Sequence, residues 1–390
     1  MALTFMDRRK TDCSKWDGLE SVFGQGDLQA MWVADMDFRC PQCVIDRLQD
    51  FVDFGVFGYY HPPETYPDAF LAWEKQYHGY SPKREWLRFS PGVVPAINWL
   101  IRILTEPGDS VIVLTPVYYP FLNAIRDNGR RLVCCDLINN NGVYSVDFED
   151  FERQITEQKV RMFILSSPHN PVGRVWSRQE LQTMLEICRK HGVYVLSDEI
   201  HQDFVSPGYV HTPSALTGDY DDMLITLTAA TKTFNLAGCQ NSFIIIPSFE
   251  IREQFDRFTA GIQVQSGNPF GYIAVEAAYR DGRPWLEEVK AVIQANRRFV
   301  ETSFAENCPQ VIISPLEGTY LLWMDFGAML KAEEMKPFMQ EKCSLAFDYG
   351  DWFGGKRFAT HIRMNLATSE EMVQEAVSRI LRNMKNRSQN

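Results

Sequence analysis

The chain has 390 residues, 45% of them hydrophobic and 23% charged, and a formal net charge of −11. That length suits two domains, one large and one small, and the composition is that of an ordinary globular protein. The acidic balance argues against nucleic acid as a partner, because the densest basic run, Arg8-Arg9-Lys10, is short and sits beside Asp7 and Asp12.

In chain order, residues 1–10 become charged almost at once and do not read as a signal peptide. No window has the uninterrupted apolar length of a membrane helix, so a cytoplasmic protein with no membrane partner is expected. Cys40 and Cys43 form a CxxC, but no second such pair lies within structural-zinc distance and Pro41 follows Cys40 directly. Reduced thiols and no metal are therefore expected of the nine cysteines. From Pro95 the apolar residues Ile97, Leu100, Ile101 and Leu104 recur at helical spacing, and Pro107-Gly108 stops the helix. Ser110–Thr115 reads as a buried strand, as do residues 160–165, 193–197, 223–227 and 242–246. Ser177 and Glu180 stand in capping-box positions for a helix running to about Lys190. Strands alternating with helices predict an α/β domain with a mainly parallel sheet. After Gly282 a charged helix over 285–305 leads to β-rich 311–314 and 319–324, then a last helix over 369–384. The reading is a large domain over 46–282 and a smaller α+β domain over 283–390, to which residues 1–45 contribute.

Four strand ends carry residues suited to chemistry. Lys232 follows a predicted strand amid small and hydroxyl residues, where burial lowers an amine's pKa and makes it nucleophilic toward carbonyls. Asp198 ends another strand, where ligand sites of open α/β sheets gather, and a carboxylate there can hold a protonated ring nitrogen. Asn170, in the Asn-Pro turn after a third strand, can reach a phenolic oxygen through its amide. The Ser90-Pro-Gly-Val-Val-Pro95 turn enters a helix, whose free N–H groups and dipole suit a phosphate.

In this order the segments resemble the class I/II aminotransferase superfamily of pyridoxal 5′-phosphate enzymes, and more narrowly its cystathionine β-lyase-type C–S lyases. The resemblance covers nearly the whole chain. Met31-Trp-Val-Ala-Asp-Met-Asp-Phe38 and Lys232-Thr-Phe-Asn-Leu-Ala-Gly238 are its subfamily-specific parts; Phe57-Gly-Tyr-Tyr60, Ser197-Asp-Glu-Ile-His201, Asn268-Pro-Phe-Gly271 and Arg363-Met-Asn-Leu-Ala367 belong to it as well. It implies the aspartate-aminotransferase-like fold. Lys232 becomes the Schiff-base lysine, Asp198 the partner of the pyridine nitrogen, and Asn170 the donor to the ring hydroxyl oxygen. Tyr118 or Tyr119 stacks on the ring, with Tyr118 the better fit because it is the first aromatic after Thr115-Pro-Val117. Backbone amides of Val93 and Val94 and the Thr231 hydroxyl take the phosphate, and His201 counts among the cofactor-binding positions. Tyr59 reaches the phosphate of a neighbouring subunit, implying a homodimer with shared sites, and takes part in catalysis with Lys232. Arg363 takes the substrate α-carboxylate. Two positions depart from the pattern: Gln240 stands where many aminotransferases carry a phosphate-holding arginine, which favours a lyase, and Thr231 replaces a serine.

The implied reaction is α,β-elimination of L-cystathionine or another S-substituted cysteine, giving a thiol, pyruvate and ammonia. An aminotransferase on the same fold is the first alternative. A non-catalytic cofactor-binding regulator is the second, disfavoured by the complete set of cofactor residues.

Overall fold

The computed structural model describes residues 3–388. Its centre is a seven-stranded sheet of β1 (Leu87–Ser90), β2 (Ser110–Thr115), β3 (Arg131–Asp136), β4 (Val160–Ser166), β5 (Tyr194–Asp198), β6 (Leu224–Thr228) and β7 (Ser242–Ile245). These lie in the order β1-β7-β6-β5-β4-β2-β3. Six strands point one way, and β7 runs against its neighbours β1 and β6. The expected α/β architecture is thus present, with the sheet mixed at one side.

Alternation along each strand feeds two cores. Val111 and Val113 of β2 meet Ile97, Leu100 and Ile101 of α1 (Val93–Leu104) on one face. Helix α2 (Tyr119–Asp127) lies on the same face through Phe121 and Ile125. Ile112 and Leu114 meet Leu181 and Leu185 of α3 (Arg178–Lys190) on the other. Burying each such side chain contributes roughly 1.5–3 kcal/mol. At the start of α3 the capping box forms as expected: Ser177 Oγ accepts from the Glu180 N–H, and the Glu180 carboxylate accepts from the Ser177 N–H at 2.8 Å. Helix α1 begins at Val93, two residues before the expected Pro95, with Gly92 as its extended N-cap. The proline sits inside the first turn, where its missing N–H costs nothing.

A second sheet, β8 (Ile312–Ile313), β9 (Leu321–Asp325), β10 (Asp348–Tyr349) and β11 (His361–Asn365), is antiparallel in the order β8-β9-β11-β10. The short helix α4 (Ala230–Thr233) follows β6, and α5 (Arg283–Asn307) packs with α6 (Glu370–Ser388) through Val300, Phe304, Val373 and Val377. Near the amino end, Gln29–Ala30 pairs in parallel with Leu345–Ala346, tying the first residues to the last third of the chain. Cys43 donates to the Ala277 carbonyl at 3.7 Å, and burial pushes the Cys40 and Cys43 thiols up. Among the described residues no helix is long and apolar enough to cross a membrane.

Candidate active site

The carboxyl ends of β4, β5 and β6 open on one pocket, as the crevice rule for open α/β sheets requires. Lys232, Asp198, Asn170, His201, Thr231, Tyr118, Val93 and Val94 all line it, so eight of the residues singled out in the sequence come together. Ala34, Ser166 and Ile200 also line it and were not anticipated.

Lys232 sits on α4, the single turn after β6, and is partly exposed where it faces the pocket. Its Nζ donates to the Ala34 carbonyl at 2.6 Å, an acceptor shared with the Tyr320 hydroxyl at 2.9 Å. Burial drives its pKa down to about 8, with Arg363 adding to the effect and Asp35 and Asp198 opposing it. A lysine in this setting is a usable nucleophile and base near neutral pH.

Asp198 is 5% exposed, and one of its oxygens accepts the Ile200 N–H at 3.1 Å. Burial pushes its carboxyl up to about 7, the behaviour of an acid lacking a close cationic partner. His201 is buried beside it, held below its usual pKa by desolvation and by the Lys232 and Arg363 charges. Its Nδ1 is buried without a hydrogen-bond partner, and the residue lines the pocket.

Asn170 accepts from Arg363 Nη1 at 3.0 Å through Oδ1. A guanidinium only donates, so this contact turns the Asn170 amide NH₂ the other way, free to donate into the pocket. The Tyr118 N–H donates to the Asn170 carbonyl at 3.1 Å, which places the Tyr118 ring on the pocket wall, with Tyr119 behind it at 5.4 Å between centroids. Between the two tyrosines, it is Tyr118 that lines the pocket. At the far end α1 points its first turn inward with no side-chain cap, leaving the Val93 and Val94 N–H groups free for an anion beside Thr231.

The Met31–Phe38 stretch, legible in the sequence only as a subfamily marker, supplies the Ala34 carbonyl that holds Lys232, and two asparagines tie down its other carbonyls. Asn365 Nδ2 donates to the carbonyls of Val33 and Asp35 at 2.6 and 2.7 Å. Asn235 Nδ2 donates to those of Met36 and Phe38 at 3.0 and 3.1 Å. Below it, Lys15 Nζ lies 2.6 Å from Asp37, both fully buried, and Trp16 Nε1 donates to the same carboxylate at 3.0 Å. Behind the pocket a buried polar layer continues: Thr233 donates to Asp203 at 2.7 Å, and Glu199 takes His211 at 3.1 Å and Ser197 at 2.8 Å.

Two predicted residues lie outside this cluster. Arg363, in β11, stands just behind Asn170 and is 2% exposed. Tyr59 is fully exposed and belongs to no part of the pocket of its own chain.

Residues 30–380 match the family model for aminotransferase class I and II. The chain belongs to that family. Within it, the chain is 40% identical to a protein of Bacillus subtilis (strain 168) called cystathionine beta-lyase PatB, over 96% of this chain and 97% of that one. It is 29% identical to a cystathionine beta-lyase of Corynebacterium glutamicum, over 91% and 93% of the two chains. Cystalysin from Treponema denticola, whose crystal structure contains pyridoxal 5′-phosphate, superposes with a TM-score of 0.95 at 36% identity, covering 99% of this chain and all of that one. The donor set here fits the family's cofactor. A buried carboxylate without a close cationic partner suits a ring nitrogen, a free amide NH₂ suits a phenolic oxygen, and an uncapped helix start suits a phosphate.

Proposed function

We propose that the protein is a pyridoxal 5′-phosphate-dependent carbon–sulfur β-lyase that cleaves L-cystathionine or a related S-substituted cysteine to a thiol, pyruvate and ammonia. The observation that carries this reading is that Lys232, Asp198 and Asn170 line one pocket, in a chain similar along almost its whole length to a cystathionine β-lyase. Gln240, exposed in a left-handed turn, stands where aminotransferases of this type carry a phosphate-holding arginine, and this favours elimination over amino transfer.

When bound, the cofactor supplies an aldehyde that takes the substrate amine and a ring that draws electron density from the α-carbon. Every other task falls to this chain. Asp198 holds the ring nitrogen protonated, and Asn170 donates to the ring oxygen. The Val93 and Val94 N–H groups and the Thr231 hydroxyl bind the phosphate, Tyr118 stacks on the ring, and His201 closes the wall beside it. Arg363 takes the α-carboxylate, which aligns the α-hydrogen with Lys232. Lys232 Nζ removes that proton as general base and returns it to the departing sulfur as the C–S bond breaks. The released three-carbon enamine then hydrolyses to pyruvate and ammonia.

A homodimer is part of the reading. Phe54, Val56 and Phe57 are 66%, 56% and 56% exposed, and Tyr59 wholly so, a run of apolar surface that a second copy would cover. Tyr59 then completes the partner's phosphate site and assists proton transfer there. The proposed division into a large domain over 46–282 and a small one formed by 1–45 and 283–390 is supported by the pairing of Gln29–Ala30 with Leu345–Ala346.

Thiol release tests the substrate class. Purified holoenzyme given L-cystathionine, L-cystine and S-methyl-L-cysteine should liberate free thiol or persulfide from at least one of them at enzymatic rates. No sulfur release from any of the three would contradict the reading.

A further inference from the structure

Arg363 is gripped on more sides than a substrate-binding arginine needs. In the antiparallel β10–β11 ladder, Asp348 lies directly opposite Arg363, so register puts both side chains on one face of the sheet. Asp348 Oδ2 accepts from Arg363 Nη2, and the two residues are 1% and 2% exposed. The Trp32 carbonyl is the second neighbour of Nη2, at 3.3 Å, and Asn170 holds Nη1 at 3.0 Å. The guanidinium also lies over the Phe353 ring at 5.0 Å, which fixes its plane. Two buried atoms on this ion pair have no partner: Arg363 Nε and Asp348 Oδ1.

A guanidinium takes a carboxylate in a fork on one of two edges, the side edge of Nε and Nη2 or the end edge of Nη1 and Nη2. The two orphaned atoms are those that would complete a fork between Asp348 and the side edge. Asn170 takes one of the two Nη1 hydrogens, and beyond Asp348 Nη2 has only the long Trp32 contact. We propose that Asp348 is a positioning residue that claims the side edge of Arg363, presents the end edge to the substrate α-carboxylate, and sets carboxylate affinity by partly neutralising the guanidinium before substrate arrives. This rests on the reading of Arg363 as the carboxylate-binding residue.

The two roles of Asp348 have opposite signs and can be separated. An asparagine keeps the shape and one acceptor, so presentation survives while the repulsion between two carboxylates on one arginine is lost. An alanine loses both. The other charged and titratable groups facing Asp348 are Tyr118 and Tyr119, both neutral because burial raises them, so Arg363 is its one close charge among the described residues.

The experiment is equilibrium titration of holoenzyme with glycine and with glycinamide at pH 8, read by the cofactor's absorbance. Glycine has no leaving group, so binding is measured without elimination, and failure of the lyase reading would appear in thiol release instead. Asp348→Asn should bind glycine at least about tenfold more tightly than wild type, with glycinamide unchanged, and Asp348→Ala should bind glycine more weakly. Glycine affinity unchanged or weakened in Asp348→Asn, or equal tightening of glycine and glycinamide, overturns the proposal. If Asp348→Asn does not fold, Asp348→Glu decides: its longer arm keeps the charge but pushes the guanidinium aside, so glycine should weaken while glycinamide does not, and no change in either overturns the proposal. Arg363→Ala runs beside them. Unaltered glycine binding in that variant would overturn the site reading and this inference together, whereas its loss without a gain in Asp348→Asn overturns this inference alone.

Discussion

Burial acts on single residues here in two directions, and both can be measured. Lys232 is pushed down to about 8 because its ammonium loses water that one carbonyl only partly replaces. As the base of the proposed reaction, it should cost about a hundredfold or more in turnover when changed to alanine, with cofactor no longer trapped at residue 232 by borohydride. Full activity in Lys232→Ala would remove it from the mechanism. His169 shows the same desolvation without a catalytic use. Its Nε2 donates to the Pro116 carbonyl at 2.8 Å, and burial of the whole ring disfavours its charged form more than the nearby Pro116 and Ser166 backbone groups favour it. Its pKa falls from the ordinary 6.5 to about 4. The unfolded chain therefore takes up a proton that the folded chain refuses, and stability drops as pH falls from 6.5 toward 4, by up to about 3 kcal/mol. Urea midpoints measured across that range should fall less steeply in His169→Gln, which keeps a donor and cannot titrate; parallel curves would contradict the assignment.

Among the elements, the Met31–Phe38 stretch depends on a buried ion pair beneath it. Lys15→Met would leave Asp37, 0% exposed, without its closest cation. Such a loss costs about 3 kcal/mol or more, seen as a lower urea midpoint, and the double variant Lys15→Met with Asp37→Leu should recover part of it. A double variant no more stable than the single one would show that the charge itself was not the burden. The same scale explains what could be read from sequence. Strands β2, β4, β5, β6 and β7 were anticipated to within about one residue, because both faces are covered and each is a short apolar run. β1 and β3 were missed, and they are the two edges of the sheet. β3 begins and ends on exposed charges, Arg131 and Asp136, and β1 carries Arg88, whose guanidinium reaches Asp256, so neither shows an unbroken apolar pattern. Cofactor-facing residues were legible because they cluster at strand ends in recognisable segments. Asp348 and the Ala34 carbonyl were not, since one is an isolated acid in a two-residue strand and the other is backbone.

At the scale of the whole molecule, the proposed dimer makes Tyr59 and Lys232 parts of the same site from different chains. Lys232→Ala and Tyr59→Ala, each impaired alone, should complement when unfolded together and refolded. Random pairing restores one intact site in each mixed dimer, about a quarter of all sites. No recovery in a mixture that forms mixed dimers would place Tyr59 outside the partner's site. The family includes proteins named as lyases and as aminotransferases, and fold does not by itself choose between those reactions. The choice lies in where the proton taken by Lys232 goes next. The most direct test is pyruvate release from L-cystathionine by purified holoenzyme with no oxo acid added, measured against thiol. Sustained turnover is expected, with pyruvate and thiol in equal amounts. No pyruvate, with amino transfer appearing once 2-oxoglutarate is supplied, would contradict it and make the protein an aminotransferase.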